Sequence, residues 1–296
     1  LDGNCKLQWK VDWAMRWYVL NVDYEMNGKD LIESFVLSSK INRIIGGRPP
    51  NNFTYELFLD EKGEKISKSI GNGISVEDWL EFSPQESLEL FMFQNPTRAK
   101  RLYFDVIPKM TDEYLKLKKD FEASEVIEKY KSPIWFLNNE KEFNILENFS
   151  FNMILNLANV CNAESPEILW GFIENYYPDI DRKQFPLIQK LLEYGVEYYK
   201  KFVLPKKKYR LPNDLERKGF IKLIQTLETL DNKSEAEDIQ TKIYEIGMEL
   251  KFSNLKDWFS GFYQVVLGQE QGPRLGSFIK FYGIEQTIQL LKEKVK

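Results

Sequence analysis

The densest chemistry in the sequence lies in Lys65-Ile66-Ser67-Lys68-Ser69-Ile70-Gly71-Asn72. Two ammonium groups three residues apart, hydroxyls beside them and a Gly-Asn turn behind form a short cationic donor array suited to wrapping a triphosphate. Phosphoryl and adenylyl chemistry depends mainly on stabilising charge on phosphate oxygens, which such donors do. A solvated Lys/Ser surface loop has the same composition, so the octapeptide alone leaves both readings open. A second group, Trp9, Asp12, Trp13, Trp17, Tyr24, Glu25 and Asp30, sets carboxylates among aromatic rings. That pairing suits an organic cation such as an ε-ammonium, because a desolvated cation over tryptophan is held by roughly 2 kcal/mol. Tryptophans clustered on a helix also serve as plain core, Trp17 and Tyr18 foremost. The third group is the run Tyr198 to Arg210, with six basic residues, four aromatics and no acid. Lys200, Lys201, Lys206, Lys207, Lys208 and Arg210 can track a phosphate backbone, and exposed rings such as Tyr209 can stack on unpaired bases at about 1–3 kcal/mol each. A solvated linker beside Pro205 is the alternative.

Three zones of the chain have to position these groups. Val11 to Leu20 reads as an aromatic-rich helix, Val22 to Met26 as a strand, and Lys29 to Ile45 as an amphipathic helix stopped by Gly46-Gly47 and Pro49-Pro50. That rhythm predicts an α/β sheet. Phe53 to Leu59 alternates and turns at Asp60-Glu61-Lys62-Gly63, predicting a hairpin that ends in the lysine loop. From Ser83 onward helices dominate, with start signals at Ser83-Pro84-Gln85-Glu86, Ser165-Pro166-Glu167 and Ser234-Glu235-Ala236-Glu237, the last leading into Ile239, Ile243, Ile246 and Leu250. Lys131-Ser132-Pro133, with Asn138 to Lys141 beyond it, marks a boundary between the α/β and helical parts. Gly268 to Arg274 reads as a helix break and carries no assigned chemistry.

Composition narrows the classes. A chain of 296 residues that is 43% hydrophobic holds a normal core, and its net charge of -4 argues against a generic polyanion binder, so nucleic-acid contact has to come from local patches. Two cysteines, Cys5 and Cys161, and no histidine offer neither a disulfide framework nor a metal site, and both read as reduced, buried thiols. No apolar run suits a membrane helix and no signal-peptide pattern opens the chain, so a cytoplasmic protein with no membrane partner is expected. The opening at Leu1 looks like the middle of a domain.

The octapeptide resembles the Lys-Met-Ser-Lys-Ser signature of class I aminoacyl-tRNA synthetases, with Ile66 in place of methionine. The string Trp9-Lys10-Val11-Asp12-Trp13-Ala14-Met15-Arg16-Trp17, with Val22-Asp23-Tyr24-Glu25, Gly28-Lys29-Asp30, Gly46-Gly47-Arg48-Pro49-Pro50, Ala99-Lys100-Arg101-Leu102-Tyr103-Phe104-Asp105 and Gly268 to Arg274, is similar to the class I type of lysyl-tRNA synthetase over effectively the whole chain. The resemblance implies α/β followed by mostly α: part of a Rossmann-type catalytic domain over 1–60, the lysine loop and a helical connecting region over 61–135, and an α-helical-cage anticodon-binding domain over 136–296. It implies that Lys68 binds the ATP phosphates and stabilises the transition state, with Lys65 assisting and Ser67 and Ser69 as further donors. Gly28 and Asp30 would contact the nucleotide, and Asp12, Trp13 and Tyr24 the substrate lysine. Many members have histidine where Leu31 stands, so that contact is absent. Lysine, tRNA(Lys) and ATP are the implied partners, with Mg2+ held mainly by the phosphates. A His-Ile-Gly-His element completes such sites, and a chain without histidine lacks it. The chain alone is therefore expected to be inactive as a ligase, and a separate N-terminal half is one way to complete it. A non-catalytic tRNA-binding remnant is the alternative, and a helical scaffold with an incidental lysine loop a third reading.

Overall fold

A computed structural model of the chain describes residues 3, 6–67, 69–137, 146, 149–231, 234–252 and 254–295. They form two compact units, Leu1–Val76 with Glu89–Val106, and Glu77–Leu88 with Ile107–Lys296. The first holds α1 (Trp9–Leu20), β1 (Tyr24–Gly28), a 3-10 turn at Lys29–Leu31, α2 (Ile32–Ile44), β2 (Asn51–Tyr55) and β3 (Phe58–Leu59). The chain then runs through α3 (Val76–Leu80) and α4 (Gln85–Phe93) before β4 (Lys100–Arg101).

Helix α1 ends where Asn21 takes a left-handed conformation (φ 49°) and gives its N–H to the Trp17 carbonyl. Two buried polar side chains join α2 to α1: Ser38 Oγ donates to the Lys10 carbonyl (2.9 Å) and Asn42 Nδ2 to the Ala14 carbonyl (3.0 Å). Gly47 follows because a Cβ there would lie 2.5 Å from the Asn42 amide oxygen. Strands β1 and β2 pair in parallel, Tyr24 opposite Asn51 through Gly28 opposite Tyr55. The strand expected at Val22–Met26 thus begins at Tyr24, once the chain has left the Asn21 turn.

The expected hairpin, Phe53–Leu59 turned back at Asp60–Gly63 towards Ile66, forms only at its end. Its residues divide between two parallel pairs, β1–β2 and β3–β4, because the Glu56 N–H leaves the ladder for the Pro96 carbonyl (2.9 Å). At that end the predicted turn is flanked by an antiparallel bridge between Leu59 and Lys65, and the Ile66 N–H donates to the Phe58 carbonyl (3.2 Å). Its corner is held by Asp60, whose carboxylate accepts from the N–H groups of Lys62 (3.0 Å) and Glu64 (2.8 Å), with Gly63 at φ 87°.

The second unit is helical: α5 (Val106–Ala123), α6 (Val126–Lys129), α7 (Phe151–Cys161), α8 (Pro166–Tyr176), α9 (Pro186–Tyr198), α10 (Asp214–Glu228), α11 (Ala236–Glu249), α12 (Leu255–Phe262), α13 (Leu275–Tyr282) and α14 (Ile284–Val295). Its core gathers Phe220, Leu223, Ile243, Trp258, Phe262 and Ile279, each buried and each stabilising by roughly 1.5–3 kcal/mol relative to exposure. Helices α11 and α13 approach closely because Gly276 has no side chain; a Cβ there would strike the Ala236 carbonyl. Of the predicted starts, Ser165 caps α8 by position without a side-chain hydrogen bond, and α11 is capped at Glu235 instead of Ser234. The capping box is at Asn213, whose side chain takes the Glu216 N–H (2.9 Å) while Glu216 takes the Asn213 N–H (2.8 Å). Lys131-Ser132-Pro133 opens a 3-10 turn inside this unit, and Asn138–Lys141 lie outside the described residues. No described helix is long and apolar enough to cross a membrane.

Candidate functional site

Parallel strands present ligands at their carboxyl ends, and here β1 ends in Gly28 with Asp30 two residues on. Lys65 reaches this point: its Nζ lies 2.6 Å from Asp30 Oδ2. Beside it Lys29 pairs with Glu56 at 2.7 Å, and that ammonium holds the Glu56 carboxyl below the usual range. Beyond Lys65 the described residues form a hydrogen-bonded turn. Ile70 and Gly71 give their N–H groups to the Ser67 carbonyl (3.2 and 3.0 Å), and Gly71 closes the turn at φ 69°. Asn72 fixes the turn from behind, accepting from the Ser67 N–H (2.9 Å) and donating to Asp60 Oδ2 (2.8 Å). The Asn72 amide and the Glu64 N–H keep the Asp60 carboxyl below its ordinary value. Ser67 and Ser69 share a hydrogen bond of 2.9 Å between their hydroxyls. Lys68 lies outside the described residues. Lys65, Ser67 and Ser69 therefore form a preset, exposed donor turn in the same unit as Gly28 and Asp30.

The aromatic group is a ladder on α1. Trp9 stacks on Trp13 at 4.9 Å, and Trp13 meets Trp17 at 4.7 Å, as residues four apart on one helix face must. Both inner indoles donate to one carboxylate, Glu25 on β1: Trp17 Nε1 at 2.7 Å and Trp13 Nε1 at 3.3 Å. Asp12 pairs instead with Arg16 (2.9 Å), and Tyr24 is exposed. The carboxylate set against the aromatic ladder is thus Glu25. The sequence held its signal in the alternation of Glu25 and Asn27, which puts both on the face of β1 covered by α1.

In the helical unit the basic run is tied down unevenly. Residues Tyr199–Val203 form a π-helical turn and Leu204–Lys206 a 3-10 turn, with Tyr198 and Tyr199 buried. Lys200 pairs with Glu197 (3.1 Å), and Lys201 pairs with Glu81 (2.8 Å) while lying over the Phe82 ring (4.8 Å). Arg210 is bound by both oxygens of buried Glu216, at 2.6 and 2.7 Å. Lys207 turns inward and donates to the Asn159 carbonyl (2.7 Å) and Asn162 Oδ1 (2.8 Å). Burial, with the charge of Lys294, brings its ammonium down to about 8. Lys206, Lys208 and Tyr209 face solvent. Lys208 gives its N–H to the Gly268 carbonyl (2.9 Å), joining this run to the segment Gly268–Arg274. Nearby Cys161 is half-buried and pushed up to about 12 by burial, whereas Cys5 lies outside the described residues. Among the described residues no three His, Cys, Asp or Glu side chains converge as a metal site.

Residues 1–141 match the family model described as tRNA synthetases class I (K). Over 296 residues the chain is 47% identical to a lysine–tRNA ligase of Rickettsia bellii (strain OSU 85-389), an alignment covering 99% of this chain and 56% of the relative. A lysine–tRNA ligase of Rickettsia felis (strain ATCC VR-1525 / URRWXCal2) is 46% identical over the same shares. The chain thus spans about half the length of the curated relatives it matches. Among solved structures, a glutamate tRNA ligase from Elizabethkingia meningosepticum CCUG26117, in complex with its amino acid, aligns over 97% of this chain and 60% of its own, at 12% identity and a TM-score of 0.36. That score is too low to assign a fold by likeness.

Proposed function

We propose, for a chain that belongs to the lysine–tRNA ligase family of class I tRNA synthetases, that its first unit forms the lysine-loop side of a site making lysyl-adenylate from lysine and ATP. The helical unit then receives tRNA(Lys). The observation that carries this reading is the preset donor turn: Lys65 at Asp30 (2.6 Å), with Ser67 held in place by Asn72 (2.9 Å). Donors fixed before substrate arrives stabilise developing phosphate charge without reorganisation. Lys68 supplies the second ammonium, Lys65 assists, and Gly28 and Asp30 sit where the ribose and phosphates of a nucleotide approach. Mg2+ held mainly by the ATP phosphates would neutralise part of their charge.

For substrate lysine, Trp13 and Tyr24 provide aromatic surface and Asp12 a carboxylate, with Glu25 as the acid fixed by two indoles. An α-carboxylate oxygen of lysine attacks the α-phosphorus of ATP, forming the acyl-phosphate bond as the bond from that phosphorus to pyrophosphate breaks, and the negative charge of that transition state needs partners on both sides of the triphosphate. These 296 residues contain no histidine, so the imidazole side comes from elsewhere. The bare face of the first unit supports such a partner. Parallel strands are stable when covered on both faces, yet Tyr24 and Met26 on the uncovered face of β1 are 55% and 53% exposed.

Pyrophosphate exchange with lysine and ATP tests the assignment. The chain alone is expected to give none, and adding the remaining portion of a relative, with its histidines, should restore exchange that Lys68→Ala abolishes. Exchange by the chain alone at an intact ligase's rate would overturn the split-site reading. Tight tRNA(Lys) binding without any restorable exchange would favour a non-catalytic tRNA-binding remnant.

A further inference from the structure

Lys207 is held as a neutral amine would be. An ammonium has three N–H groups to place, whereas an amine has two and a lone pair. Two acceptors lie at bonding distance from Lys207 Nζ, the Asn159 carbonyl (2.7 Å) and Asn162 Oδ1 (2.8 Å), while the Tyr199 hydroxyl is 3.5 Å off. Both acceptors are uncharged amides. The neighbouring cations are placed differently: Lys200, Lys201, Arg210 and Lys292 each pair with a glutamate. Lys207 has no carboxylate partner among the described residues.

Its surroundings also disfavour a proton. Lys207 and Lys294 lie over one ring, that of Tyr209, at 5.2 and 4.6 Å from its centre. The titratable groups packed about Lys207 are Cys161 on α7, Tyr199, Tyr209 and Lys294 on α14. Burial raises the Cys161 thiol to about 12 and the two phenols above their ordinary value, so near neutral pH only Lys294 is charged. The carbonyl end of α7 favours a cation at this point. Burial and the like charge outweigh it, and the ammonium falls to about 8. Lysines become nucleophiles in this way, by desolvation beside a second cation. At pH 8 about half of Lys207 is free amine, against about 0.4% of an ordinary lysine.

We infer that Lys207 is a carbamylation site, whose amine takes up carbon dioxide to give a carbamate that pairs with Lys294. The amine lone pair attacks the carbon of CO2, a C–N bond forms, one C=O electron pair moves onto oxygen, and a proton leaves the nitrogen for solvent. The side chain is half-buried and turned inward, which favours a small, uncharged electrophile. The product fits the hydrogen bonds already present. Its one remaining N–H keeps the Asn159 carbonyl, and Asn162 Oδ1 still receives the Tyr199 hydroxyl (3.1 Å). The new carboxylate supplies the anion that Lys294 lacks, so a site with two like charges becomes an ion pair. Neither the lysine loop nor RNA takes part.

The test equilibrates the full chain with carbon-13-labelled bicarbonate near pH 8 at constant ionic strength and reads it twice. Triethyloxonium converts a carbamate to its ethyl ester, which peptide mass spectrometry assigns to a residue. In the wild-type chain Lys207 should carry at least about tenfold more ester than Lys206 or Lys208, which face solvent. In carbon-13 NMR the wild-type chain should show a carbamate resonance that Lys207→Arg lacks, whereas a carbamate on an α-amine stays in both. Lys294→Ala removes the carbamate's partner and lets Lys207 keep its proton to higher pH, so both signals should fall several-fold. Ester absent from Lys207 or spread evenly over the three lysines would overturn the assignment without recourse to any variant. So would a resonance retained in full by Lys207→Arg, or a Lys294→Ala chain modified as completely as wild type.

Discussion

Replacing Glu216 with alanine should destabilise the helical unit by about 2 kcal/mol, and the figure follows from what the carboxylate does. It accepts the Asn213 N–H at 2.8 Å, one half of the capping box that starts α10, and losing that bond costs about 1 kcal/mol. It also binds Arg210 through two charge-assisted hydrogen bonds of 2.6 and 2.7 Å. Buried, such bonds are worth about 1.5–3 kcal/mol, but the Arg210 side chain is 38% exposed, so solvent screening reduces this to about 1 kcal/mol. For a unit of this size the sum corresponds to a fall in melting temperature of roughly 4–8 °C. The Arg210 bonds and the Asn213 cap lower the Glu216 carboxyl against the opposing effect of burial. A folded value below the unfolded one means the pair's contribution is present above about pH 4.5 and is lost as pH falls through the folded value. Glu216→Gln should therefore flatten the acid limb of the stability profile. Arg210→Ala and Glu216→Gln, measured by urea denaturation singly and together, should be strongly non-additive. Additive losses, or an unaltered acid limb in Glu216→Gln, would refute the account of Arg210 as an internal anchor.

Three further outcomes are expected. Lys207 has a folded value of about 8, below its unfolded value, so the unfolded chain binds more protons between about pH 8 and 10.5 and stability rises with pH across that window; Lys207→Met should remove this rise in urea midpoints. Asp112 accepts hydrogen bonds from the Phe151 N–H and from Asn152 (3.2 and 2.6 Å), capping α7 from α5, and burial raises its carboxyl. Its folded value above the unfolded one makes stability fall as pH rises between the two, so Asp112→Asn should lessen that fall, while Asp112→Ala should cost about 1–2 kcal/mol in thermal melts. Asn72→Ala should speed amide exchange at Ser67 several-fold without changing the melting temperature by more than about 2 °C; exchange as slow as wild type would show that the lysine loop is held by something else.

Local features were legible in the residues, and partners distant in sequence were not. The tryptophans at 9, 13 and 17 announced one helix face, and the ladder exists. The Asp60–Gly63 turn and the isoleucines of α11 were equally readable, because they depend on neighbours within a turn or two. The alternation of Phe53–Leu59 indicated extended chain but could not name its partners, which are parallel strands elsewhere in the sequence. Composition made the seven candidates between Lys200 and Arg210 look alike. Lys207 differs from Lys206 only because Asn159 and Asn162, more than forty residues away, draw it inward. Glu25 stood in the same group as Asp12 and Asp30 with nothing to single it out, for the same reason: two indoles select it across the gap between α1 and β1.

The Lys65–Asp30 contact would make the proposed nucleotide site a competition between anions. With side chains 58% and 55% exposed, the pair is worth at most about 1 kcal/mol, so an arriving phosphate opens it at little cost. The carboxylate it displaces is then a vacant acceptor at the end of β1, where a ribose hydroxyl can use it. One exchange would thus reward both ends of a nucleotide, whereas pyrophosphate, which has no sugar, would gain only half of it. Added salt should then weaken pyrophosphate more than ATP, which turns a single resting ion pair into a means of telling substrate from product.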